Sequence, residues 1–166
     1  NPNVLIPGYW MMFALNDAGV PSAAHVVKVV RDIPVSTPGD IRYVRLVAES
    51  ETNGFPWTSA AEINVLDGNG DAIDRRDWIV LADSSQVGNE HGKALDGDAA
   101  THWHTDWSPA GNDNDPAHDH TFTIDMRGDY TATAMTYLPR QDTSFNGHIA
   151  GYRIEVSMDG VNWTQA

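Results

Sequence analysis

Two histidine pairs, His102 with His104 and His118 with His120, have spacing that could do chemistry. Residues two apart share one face of a strand, so four imidazoles could converge on copper, zinc or iron. Asp96, Asp98 and Thr101 set three oxygen-bearing side chains around Gly97. Hard cations such as calcium want about six to eight oxygens at such close quarters, although the same residues could close an Asx-type turn with no ion. Asp67, Asn69 and Asp71 imitate the start of an EF-hand loop, but its sixth and twelfth positions are Ala72 and Trp78, so the segment reads as a turn. His104, Trp107, Arg140 and Asn146 combine a planar charged donor, an amide and an imidazole with an aromatic surface, the set needed to grip a molecule with hydroxyls on one side and C–H groups on the other. The simpler reading gives Arg140 an ion pair with Asp142 or Asp106 and makes His104 an ordinary strand residue. No acid and nucleophile pair stands out among the carboxylates, and neither a nucleophile elbow nor a phosphate-binding glycine loop is present.

Strands must position these residues. Period-two apolar runs occupy Tyr9 to Leu15, Ala24 to Val30, Tyr43 to Ala48, Ala61 to Leu66, Trp78 to Ala82, His120 to Met126, Ala132 to Leu138 and Tyr152 to Ser157. Asn/Asp/Gly turns separate them at Asn16-Asp17-Ala18-Gly19, Asp67-Gly68-Asn69-Gly70, Asp96-Gly97-Asp98 and Asp159-Gly160. No convincing helical period with caps appears, so an all-β antiparallel sandwich is predicted. Residues 34–40, rich in Pro, Ser, Thr and Gly, read as a linker between an N-terminal hairpin over 1–33 and a module over 41–166. Trp78, Trp103 and Trp163 fall in strand motifs and are expected in the core, whereas Trp57, beside Pro56, falls in a loop.

The chain has 166 residues, 41% hydrophobic, with no cysteine and a net charge of −13. That supports a real core and excludes disulfides, thiolate zinc sites and thiol nucleophiles. The negative charge repels phosphate backbones and anionic lipid, arguing against nucleic-acid and membrane partners. No apolar run approaches the ~20 residues of a membrane span, and no signal-peptide pattern opens the chain. With its abrupt start at Asn1 and finish after Trp163, the sequence reads as a piece of a larger protein.

From Trp78 onward the motifs Ala94-Leu95-Asp96-Gly97-Asp98, Thr101-His102-Trp103-His104-Thr105-Asp106-Trp107, Thr123-Ile124-Asp125-Met126, Tyr137-Leu138-Pro139-Arg140-Gln141-Asp142, Asn146-Gly147 and Tyr152-Arg153-Ile154-Glu155-Val156-Ser157-Met158-Asp159-Gly160-Val161-Asn162-Trp163 follow in order. Together they resemble the discoidin, or coagulation factor five/eight type C, domain in its bacterial form, the family-32 carbohydrate-binding module. Arg42-Tyr43-Val44-Arg45-Leu46-Val47 and Pro56-Trp57-Thr58-Ser59-Ala60-Ala61-Glu62-Ile63 are similar to the last two strands of such a module, yet here they come first. Either they end a preceding module, or the discoidin-like jelly roll is circularly permuted; the second is favoured because the downstream strands would otherwise keep an open edge. Leu5 to Val30 is similar to the final hairpin of the β-sandwich closing galactose-oxidase-like proteins. The copper and radical chemistry of those enzymes belongs to a propeller and does not carry over.

The resemblance implies a structural calcium held by Asp96, Asp98, Thr101, the backbone carbonyl of Lys93 and the Ala61-Glu62 pair. It also implies a site for galactose or a galactosamine-type sugar, in which His104, Arg140 and Asn146 contact hydroxyls beside Trp107. Glu90 aligns with an acidic contact of some members, in a loop that is shorter here. The interval from Arg140 to Asn146 is one residue longer than in some members, so Phe145 either forms the aromatic lip or displaces Asn146. The function implied is a non-catalytic, secreted glycan-binding module that keeps an attached enzyme near its substrate, within a larger multidomain enzyme. The alternatives are a discoidin-like adhesion module for protein or membrane surfaces and a metalloenzyme built on the four histidines.

Overall fold

A computed structural model describes residues 8–12, 25–29, 31–34, 40–107 and 118–166. Strands β1 (Gly8–Met12) and β2 (His25–Val29) form an antiparallel pair, with Trp10 opposite Val27. The remaining strands are β3 (Arg31–Pro34), β4 (Ile41–Glu51), β5 (Ser59–Ala60), β6 (Glu62–Asp67), β7 (Ile79–Ala82), β8 (Trp103–His104), β9 (His120–Tyr130), β10 (Ala132–Leu138), β11 (Ile149–Ser157) and β12 (Thr164–Gln165), with a 3₁₀ turn at His91–Leu95. They build a five-stranded sheet in the order β12-β11-β4-β9-β7, a three-stranded sheet β3-β10-β6 and a small β5-β8 ladder, with every pairing antiparallel. The chain is an all-β sandwich of the discoidin-like kind. Among the described residues no helix is long and apolar enough to cross a membrane.

Alternation explains which side chains turn inward. Along β9, His120, Phe122, Ile124 and Met126 are buried while Thr121, Thr123 and Asp125 are not, the period-two signature of a half-covered strand. Val44 and Leu46 of β4 and Ile154 and Val156 of β11 share a core with Ile63, Val65, Met135 and Tyr137 from the other sheet. Trp103 fills the space between the sheets, with its ring 4.9 Å from Phe122 and its indole N–H donating to the Ser84 carbonyl at 3.0 Å. Trp78 packs against this core only in part. Trp163 corrects the core expectation: it is half-buried beneath the Arg45 guanidinium, 3.6 Å from its ring centre, because Arg45 and Tyr43 point away from the core.

The segment before the body completes it. Strand β4 lies between β11 and β9, with Val44 opposite both Val156 and Ile124, and β6 pairs with β10. Residues 41–66 therefore belong to the same sandwich as the later strands. Strand β3 pairs with β10, Ile33 opposite Met135, so the boundary between residues 33 and 34 falls inside a strand of the three-stranded sheet. Residues 35–39 of the linker lie outside the described residues.

Candidate functional site

Four loops meet where β4 ends and β11 begins. Ser59 N–H donates to the Gly147 carbonyl at 2.8 Å, Thr52 N–H to His148 O at 2.9 Å, Thr105 N–H to Thr58 O at 2.9 Å, and Gln86 N–H to His104 O at 2.9 Å. Gly147 makes the closest approach possible. Its φ is +82°, and a Cβ there would sit 2.7 Å from Ser59 Oγ, so only glycine fits both the backbone and the space.

Arg140 is held from two sides. Its Nε and Nη2 grip Asp142 at 2.8 and 2.6 Å, and its Nη1 donates to Asn146 Oδ1 at 2.6 Å. Asp142 is kept below the usual carboxylate range first by that guanidinium. The Asp142 ion pair therefore forms, and it orients the guanidinium instead of consuming it: three N–H groups are used and the others remain donors. Asn146 Oδ1 also accepts from Ser144 Oγ at 2.6 Å. The extra residue before Asn146 leaves it beside Arg140, while Phe145 turns outward, 66% exposed, with its ring edge-on to His148 at 5.8 Å.

His104 is fully buried. Its Nδ1 lies 2.7 Å from the Thr105 carbonyl, a pure acceptor, which fixes the hydrogen on Nδ1 and leaves Nε2 with a lone pair. That Nε2 is shielded from water and has no partner among the described residues. Burial pushes the imidazole down to about 4, with the Arg140 charge adding to the effect, so it is neutral at pH 7. The rings of Trp107, Trp57 and His102 surround it at 4.5, 6.4 and 6.4 Å. Trp107 itself is 43% exposed. The Glu90 carboxylate accepts the Gly88 N–H at 2.7 Å and so stabilises its own turn, while the neighbouring Asn89 carbonyl accepts the His104 N–H.

The four histidines do not converge. Among the described residues no three acidic or histidine side chains gather to hold a metal ion. His118 and His120 are 5.2 Å apart, and each places Nε2 on a loop carbonyl, of Phe55 at 2.8 Å and Pro56 at 2.7 Å. His120 Nδ1 also faces Asp83 at 2.9 Å.

At the Asp96 loop, the fold brings Glu62 to residues 35 positions further along the chain. Glu62 Oε1 accepts the Gly97 N–H at 2.7 Å, and its Oε2 pairs with Arg75 Nη1 at 2.6 Å. Asp96 accepts from Asp98 N–H at 2.8 Å and Thr101 Oγ1 at 2.6 Å, the Asx-type turn that the residues alone allow. The donors are all oxygens, the chemistry a hard cation takes, but Gly97 N–H and Arg75 already engage both Glu62 oxygens, so a cation would have to displace Arg75 and draw on the carbonyls of Lys93 and Ala61 as well. Calcium there would pin the loop to β6. Arg75, which sequence reasoning missed, neutralises Glu62 and also donates to Ile63 O and Asn64 Oδ1; its place just before Trp78, in an acidic stretch, was the available signal.

Known families now bear on this geometry. Residues 80–166 match the F5/8 type C domain, and residues 1–29 match the galactose oxidase-like Early set domain. The chain belongs to the F5/8 type C domain family. A galactose oxidase of Gibberella zeae is 45% identical over 94 residues, covering 57% of this chain and 13% of that protein. A sialidase of Micromonospora viridifaciens is 30% identical over 131 residues, covering 77% of this chain and 18% of that protein. The chain thus spans less than a fifth of either relative. As an F5/8 type C domain it carries carbohydrate-binding-like architecture, and β4 and β6 lie before its matched residues.

Proposed function

We propose that this F5/8 type C domain binds the terminal galactose-type sugar of a glycan and tethers an attached enzyme to it. The reading rests on one observation, the Nε2 lone pair of His104, shielded and without a partner among the described residues, in the same loop cluster as Arg140. A buried acceptor without a partner costs about 1–3 kcal/mol, a cost that a sugar hydroxyl relieves once the exposed Trp107 ring, edge-on to His104 at 4.5 Å, turns aside to admit it. Arg140 retains N–H donors for neighbouring hydroxyls, Asn146 supplies an amide, and Trp107 supplies an aromatic surface for the C–H face. The domain family is typically non-catalytic, and the proposed role is to raise the local concentration of a parent enzyme's substrate. An extracellular setting and membership of a larger multidomain enzyme complete the proposal. A structural calcium held by Glu62, Asp96, Asp98, Thr101 and the Lys93 and Ala61 carbonyls would stiffen the loop beyond β6.

A few charge-assisted bonds, set against the cost of association, put the affinity on the order of 0.1 to 1 mM. The test is titration of galactose by calorimetry or NMR against the wild type and Arg140→Ala. Loss of binding with an unchanged thermal midpoint is expected. Equal affinity in the two proteins would remove Arg140 from the site and the reading with it.

A further inference from the structure

We propose that Phe55, stacked on Trp57, is the platform of a second sugar subsite that takes the residue next to the terminal sugar in an oligosaccharide. The inference rests on the terminal-sugar reading above and extends it. Phe55 is 44% exposed, and its ring lies 5.4 Å from that of Trp57 at an interplanar angle of 26°. Trp57 is in turn 6.4 Å from His104, and His104 4.5 Å from Trp107. These contacts link the four rings in one series, with His104 between Trp57 and Trp107 and Phe55 at one end. An exposed aromatic plane at the end of such a series offers a surface to the C–H face of a pyranose ring.

The turn carrying Phe55 is fixed with unusual thoroughness for an exposed loop. The Glu51 carboxylate, 5% exposed, accepts the N–H groups of Asn53 at 2.6 Å and Phe55 at 3.0 Å, with Thr52 Oγ1 and Asn53 Nδ2 each at 3.3 Å. A buried carboxylate is costly unless its lone pairs are met, and here four donors meet them. From the other side, the Nε2 atoms of His118 and His120 hold the carbonyls of Phe55 and Pro56. A ring held in this way loses little freedom when a ligand arrives, the condition under which a small apolar contact yields affinity. The occupant is the second ring of the same glycan, because the series links Phe55 to His104 and the turn is joined to the Asn146 loop through Thr52 N–H on His148 O.

The experiment titrates galactose and three galactosyl disaccharides, β1,3-, β1,4- and β1,6-linked, into wild type, Phe55→Ala and Phe55→Tyr. The wild type is expected to bind at least one disaccharide about five- to ten-fold tighter than galactose. Phe55→Ala should bring that disaccharide down to the galactose value while leaving galactose itself unchanged, and Phe55→Tyr should keep the gain. If no disaccharide gains in the wild type, or if Phe55→Ala weakens galactose and disaccharide equally, the subsite is overturned and the terminal site stands. If the wild type binds none of the four sugars, the terminal-sugar reading falls, and the subsite with it.

Discussion

Replacing Gly147 by alanine tests whether the loop cluster is as tightly joined as described. The substitution carries two separable costs. The backbone at φ +82° is left-handed, which a residue with a Cβ adopts at a cost of about 1–2 kcal/mol. The added Cβ would also lie 2.7, 2.8 and 2.9 Å from Ser59 Oγ, N and Cβ, and Ser59 is fully buried in β5 with nowhere to move. Forcing the strands apart sacrifices the Ser59 N–H bond to Gly147 O and the Ser59 Oγ bond to Asn146 O, at about 0.5–1.5 kcal/mol each. The sum is roughly 2–5 kcal/mol, a large part of the ~5–15 kcal/mol that holds an ordinary domain. Gly70 is the control: its φ is +85°, but nothing lies within 4 Å of the added Cβ, so Gly70→Ala should cost only the backbone part. Urea unfolding of both variants, with the slope checked for constancy, measures the difference. Under conditions where Gly147→Ala remains folded, its galactose affinity should also fall, because Asn146 is the preceding residue. Equal destabilisation in the two variants would show that the approach of the 147 turn to Ser59 is not close, and would refute the packing described for the site.

Acid should weaken both stability and sugar binding through His104. Its folded value, about 4, lies below the ordinary 6.5, so the folded protein binds fewer protons than the unfolded chain. The stabilisation is therefore fully present above about 6.5 and is lost as pH falls toward 4, about 3 kcal/mol in all. Burial lowers His102 and His148 in the same direction. Thermal midpoints between pH 7 and 4, compared with His104→Phe, check this; an equally steep decline in the variant would refute it. Galactose affinity should also collapse as Nε2 takes up a proton near pH 4, and a flat affinity profile would contradict the acceptor role. At the Asp96 loop, a chelator should lower the wild-type thermal midpoint and leave Glu62→Gln unmoved, whereas equal sensitivity in both would exclude Glu62 as a calcium ligand.

Strands with regular alternation were legible in the sequence, and β9 is the clearest case, since inward residues alternate with Thr and Asp from its first residue. The joining of 41–66 to the later strands was legible too, through the open edge that separate modules would leave. Strand β3 was not, because four residues ending in proline carry no period and acquire strand geometry only from β10. The two-residue strands β5 and β8 likewise exist only through each other. At the candidate site, residue types singled out His104 and Arg140 as candidates, but nothing in the sequence shows that His104 is fully buried, since a histidine's burial depends on what surrounds it. The Phe55 series was hidden for a different reason: Pro56 and Gly54 mark a loop, and a loop's rigidity comes here from Glu51, His118 and His120, two of them more than sixty positions away. Trp163 shows the converse, an aromatic residue in a strand-like motif whose partner is an outward arginine.

The place of β4 sets a condition on how the molecule can be made. It is the middle strand of five, and its Val44 pairs with Ile124 and Val156, residues synthesised long after it. During synthesis β4 has neither neighbour, so its sheet cannot start to close until β9 emerges and is incomplete until β11 follows. Such distant pairing slows folding and leaves unpaired backbone available to other chains meanwhile. A fragment cut to the family-matched residues, 80–166, would keep β9 and β11 but remove the strand that joins them. Expression of this domain by itself therefore has to begin upstream of Ile41.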